Sequence, residues 1–72
     1  MKIEDLLVMN EYNQENYDNI VSVIEEAAEY FGVTVDITGT SMKILSGSYA
    51  DVLMDIENMA VPQLRAEYPE VF

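Results

Sequence analysis

The 72-residue chain predicts a small α+β fold. Three observations predict it. Apolar residues recur at helical spacing over residues 15–31 and again over 49–60. Residues 33–38 alternate between apolar and polar. A Gly39-Thr40 turn signal then leads into a second short apolar run at 42–45. The expected order is β-α-β-β-α, with two helices packed on a two- or three-stranded antiparallel sheet, in a single domain over residues 1–72.

Residues 15–31 carry the clearest pattern. Tyr17, Ile20, Val21, Ile24, Ala27, Ala28 and Phe31 fall on one helical arc. Glu15, Asp18, Glu25, Glu26 and Glu29 fall on the opposite arc, with Ser22 among them and no basic residue. Asn13 or Asn16 can cap the start, and Gly32 is a C-terminal stop.

In the hairpin, Val33, Val35 and Ile37 share one face, while Thr34, Asp36 and Thr38 share the other. Ser46-Gly47 breaks the returning strand. Ser48 then caps a second helix, with Asp51 three residues on as a capping-box partner. Tyr49, Val52, Leu53, Ile56, Met59 and Ala60 form its core face; Asp51, Asp55 and Asn58 lie opposite, and Glu57 flanks them. Pro62 is expected to end or kink this helix near Val61, leaving one further turn before Pro69.

The first ten residues fit either state. Ile3, Leu6 and Leu7 suit a helical turn, but a strand would add a third member to the hairpin, and three strands are more stable than two. The strand is preferred on that ground.

Composition narrows the chemistry. The chain has no cysteine and no histidine, only three basic residues, and half its residues are hydrophobic. Disulfides and thiolate metal sites are excluded, and most general bases, nucleophiles and oxyanion stabilisers are missing. A non-enzymatic protein without cofactor or metal is expected. No apolar run approaches the ~20 residues of a membrane span, and the amino terminus does not read as a signal peptide. A cytoplasmic protein is expected. Ser48, in Gly47-Ser48-Tyr49-Ala50, reads as a helix cap and not as the attachment serine of an acyl carrier protein.

Charge is the strongest functional signal. Fourteen acidic residues against three basic ones give a formal net charge of −11. A folded chain of this mass exposes roughly 4,500 Å², so the net charge averages about one per 400 Å². B-DNA carries a charge on the order of every 100 Å² of its cylinder surface. Spread evenly, the acids are too dilute to imitate a phosphate backbone; gathered on one face, they approach it. An acidic face that serves only solubility is the plainer alternative. Helices serving solubility usually interleave lysines, though, because like charges at i, i+4 are destabilising.

In length, charge and the row Glu15, Asp18, Glu25, Glu26 and Glu29 with Asp51, Asp55 and Glu57, the chain resembles the small acidic DNA-mimic inhibitors made by bacteriophages. These include inhibitors of the nucleoid-associated protein HU, of uracil-DNA glycosylase, of restriction enzymes and of CRISPR systems. The resemblance is one of type and rests on no sequence motif. It implies a basic DNA-binding protein as partner, HU being the best match, with no direct contact to nucleic acid or membrane, and action in a host cytoplasm. The partner-binding surface would comprise these eight residues together with Asp36. Apolar residues set apart from the core, Met54, Leu45, Val71 and Phe72, suggest a homodimer. The rival reading is a regulator that contacts transcription machinery through such an apolar patch.

Overall fold

The computed structural model describes residues 2–45 and 49–71, and for residues 49 and 50 only the backbone. Its elements run helix α1 (Ile3–Met9), helix α2 (Gln14–Tyr30), strand β1 (Val35–Thr38), strand β2 (Ser41–Ile44), helix α3 (Tyr49–Glu67) and a 3₁₀ turn at Pro69–Val71. The class is α+β, but the order expected from the sequence is corrected at its start, because a helix replaces the first strand. The described residues hold a two-stranded antiparallel sheet.

Burial shows why α1 is helical. Ile3, Leu6 and Leu7, at i, i+3 and i+4, are all buried, while Glu4, Asp5, Val8 and Met9 are exposed. A strand would have put Leu6 and Val8 on one face and turned Leu6 away from Ile3 and Leu7. The hairpin gains its cover from helices and needs no third strand: α1 packs over β2, and α2 packs over β1.

Both ends of α2 are closed by short-range hydrogen bonds. The Asn13 side chain accepts from the Asn16 backbone N–H at 3.1 Å, as an N-cap. At the other end the Val33 N–H donates to the Ala28 carbonyl and the Gly32 N–H to the Glu29 carbonyl, both at 3.0 Å. These are the two bonds of a Schellman motif, and Gly32 supplies its left-handed residue at φ 71°. The core arc of α2 is rotated slightly from the expected one. Val23 is buried with Ile20, Ile24, Ala27 and Ala28, whereas Val21 is half-buried.

In the hairpin, Val35 faces Ile44 and Ile37 faces Met42 on the inner side, while Asp36 faces Lys43 and Thr38 faces Ser41 on the outer side. Gly39 has φ 58° and Thr40 does not have positive φ, the requirement of a type II′ turn. The Tyr17 hydroxyl donates to the Gly39 carbonyl at 2.6 Å, fastening the turn to α2.

Helix α3 packs along α2 through Ile56, Ala60 and Leu64, all fully buried. Pro62 does not end it: the helix continues to Glu67. Asn58, whose carbonyl loses its amide partner to the proline ring, is exposed to water. Buried Leu64 holds the turn beyond, where the Tyr68 N–H donates to the Leu64 carbonyl at 2.8 Å. The expected Ser46-Gly47 break, the Ser48 cap, the Tyr49 side chain and Phe72 lie outside the described residues.

Candidate functional site

The expected acidic surface divides into three groups by what the fold does with each residue. The first is the outer face of α2. Glu15, Asp18, Glu25, Glu26 and Glu29 are all exposed, opposite a buried arc that fixes the helix to the core. The row runs about 21 Å along the axis. At its start the Asp18 Oδ1 accepts from the Gln14 side-chain amide at 2.8 Å. At its far end Glu25 and Glu29 line an open groove of about 330 Å³ with Ala28, Gly32, Val33, Thr34 and Val35.

Local density on this face is much higher than the average. An accessible surface of 4475 Å² divided by a net charge of −11 gives about one charge per 400 Å². Five carboxylates over half the cylinder of a helix 21 Å long and about 11 Å across give one per ~75 Å². B-DNA carries one per ~100 Å². A single helix face therefore reaches the charge density of a duplex.

The second group is Asp36, Asp51 and Asp55. All three are exposed but lie on other elements, and Asp36 stands directly across the ladder from Lys43, so its charge is locally offset. Strand β1 carries Asp36, and helix α3 carries Asp51 and Asp55. Among the described residues no three acidic side chains converge closely enough to hold a metal ion.

Glu57 forms the third group and is removed from the solvated row. It is half-buried, and its Oε2 accepts the backbone N–H of Ile3 at 2.8 Å. Lys2, the residue preceding α1, makes no side-chain cap, so α3 supplies the missing acceptor from 54 positions away. A carboxylate there also opposes the positive end of the helix dipole. Glu57→Ala is expected to lower stability by about 1 kcal/mol and to increase amide exchange in residues 3–6. Glu57→Gln, which keeps an acceptor oxygen, should recover about half of that loss. Equal losses for the two variants in urea titrations would show that the carboxylate does not cap α1.

The strand preference for residues 1–10 concealed another surface feature. Val8 and Met9 are 54% and 56% exposed, and Tyr12, in the turn after α1, is 96% exposed. A helical reading of Ile3, Leu6 and Leu7 would have placed Val8 outward. Leu45 and Met54 are each 63% exposed, as their positions in the sequence suggested, whereas Val71 is buried. Among the described residues no helix is long and apolar enough to cross a membrane.

No family model, characterised protein or solved structure matches this chain.

Proposed function

We propose that this protein is a non-enzymatic DNA mimic that occupies the DNA-binding surface of a basic protein, with a nucleoid-associated protein of the HU type as the first candidate. The observation that supports this reading is the α2 face: five exposed carboxylates, no base among them, on a helix held rigid by its buried arc. Carboxylates spaced this densely can take the lysine and arginine contacts that phosphates otherwise occupy, arginine in bidentate pairs. The same field would steer a basic partner at long range and make association fast and salt-sensitive.

The test is a binding titration of the purified protein against HU, with and without duplex DNA, at several salt concentrations. Binding should weaken steeply with salt, and DNA should be displaced. The triple variant E25Q/E26Q/E29Q should lose about 100-fold in affinity, the scale of three interfacial charge pairs at roughly 1 kcal/mol each. Its folded stability should hold or rise slightly, since the Glu25–Glu29 repulsion is gone. Undiminished affinity of this variant, or a ternary complex with DNA, would sink the proposal.

A second reading, a protein-interaction module that works through an apolar patch, draws support from the exposure of Leu45 and Met54. Under it, L45Q and M54Q would weaken partner binding more than the three glutamate changes do.

A further inference from the structure

The groove at the far end of α2 combines two kinds of lining. Glu25, Ala28 and Glu29, at i, i+3 and i+4, form one wall along the last turns of the helix, and Gly32, Val33 and Val35, in the chain that leaves it, form the other. Small residues keep it open. Ala28 has only a methyl group, and a Cβ built on Gly32 would meet nothing within 4 Å. Ala28 is buried and Val33 and Val35 are half-buried, so the floor is apolar, while Glu25 and Glu29 stand exposed above it.

Charge decides what fits there. The negative end of the α2 dipole adds to the two carboxylates. The last turn of α2 holds no basic residue, and no lysine or arginine of the described residues lines the groove. An apolar floor under an anionic rim suits a long cationic side chain, which buries its methylene stem and keeps its charged head at the edge. The rim separates arginine from lysine. Carboxylates at i, i+4 flank a planar guanidinium, whose fork bonds one of them bidentately and keeps N–H groups for the other. An ammonium is a compact, strongly hydrated point charge and gains less. On the reading of α2 as the face that meets a basic protein, we propose that this groove seats an arginine side chain of that partner and selects it over lysine. The stem lies against Ala28, Val33 and Val35, and the guanidinium lies between Glu25 and Glu29.

The experiment titrates arginine and lysine oligomers of equal length into the isotope-labelled full chain and reads affinity and amide shifts together. The arginine oligomer should bind about tenfold more tightly, with its largest shifts over residues 25–35. Thr34 also lines the groove and is exposed, so T34W fills the space without changing the charge and should abolish that preference. E25Q/E29Q should abolish it as well. E15Q/D18N, which removes the same charge at the other end of the row, should weaken both oligomers alike and keep the preference. All of these positions are exposed, and the amide spectrum of each variant reports that it stays folded. Equal affinity of the two oligomers for the unaltered chain, or an arginine preference that survives T34W and E25Q/E29Q, would overturn the assignment of the groove and leave the reading of α2 standing. Shifts from both oligomers centred away from α2 would overturn the two together.

Discussion

Leu6→Ala is expected to remove about 3 kcal/mol of stability, while Val8→Ala changes it by less than about 0.5 kcal/mol. Leu6 is fully buried among Ile3, Leu7 and the rest of the core, whereas Val8 is 54% exposed. Truncating a buried leucine loses both its transfer free energy and the contacts of the cavity left behind. A domain of 72 residues has about 4–11 kcal/mol in total, so this one change consumes a large part of the margin. Urea titration reads it directly: at a slope near 1 kcal/mol/M the midpoint should fall by roughly 3 M for Leu6→Ala and hardly move for Val8→Ala. The pair also tests the secondary structure. Leu6 and Val8 lie on one face of a strand but on different faces of a helix. Similar losses at the two positions would therefore contradict the packing of α1.

The elements legible in the sequence are those whose own residues determine them. The 17-residue α2 has an apolar arc, a capping asparagine, a stop glycine and an acidic arc, and all four agree. The hairpin was legible because Gly39 sits where a II′ turn needs positive φ and the flanking residues alternate. Helix α1 was not, because three apolar residues are too short a run for their helical spacing to outweigh the stability that a third strand would bring to the hairpin. What selects the helix lies far away: the Glu57 carboxylate that accepts the Ile3 N–H, and the core that α2 and α3 complete.

The same limit applies to the acidic surface. Charges on one helix face could be placed from the sequence, so the α2 row was legible. Charges on different elements could not, because their relation depends on packing angles. Glu57 shows this most directly: by position it flanks the polar side of α3, yet the end of α1 makes it a cap. Of the two outcomes expected at Pro62, an end or a kink, the end does not occur, because α3 runs on to Glu67. The carbonyl that the proline orphans belongs to Asn58, which is exposed and can bond to water instead.

Asn10 links the beginning, the middle and the end of the chain, and its loss should rival that of a core leucine. Its Nδ2 donates to the carbonyls of Leu6 and Val71, both at 3.0 Å, and its Oδ1 accepts from the Asn16 Nδ2 at 3.2 Å. The Asn10 backbone N–H donates to Leu7, which leaves the Leu6 carbonyl at the end of α1 for the side chain to satisfy. Asn10, Asn16 and Val71 are all at least nine-tenths buried, so water is a poor substitute. Asn10→Ala strands two carbonyls and an amide and should cost about 3 kcal/mol, since each buried unpaired polar group costs about 1–3 kcal/mol and the site can partly relax. Asn16→Ala strands one acceptor and should cost about 1.5 kcal/mol. The double variant removes both sides of the shared bond and should lose about 1 kcal/mol less than the two single losses together, the coupling expected of contacting members of one network. A double-mutant cycle in urea measures this. Strict additivity would mean that the Asn10–Asn16 bond contributes nothing, and that Asn10 acts only through its two carbonyl contacts. Coupling of the expected sign would show that this buried bond ties the end of α1 to the start of α2, while the separate bond from Asn10 to Val71 ties in the 3₁₀ turn. The spacing of apolar residues specifies no such polar tie.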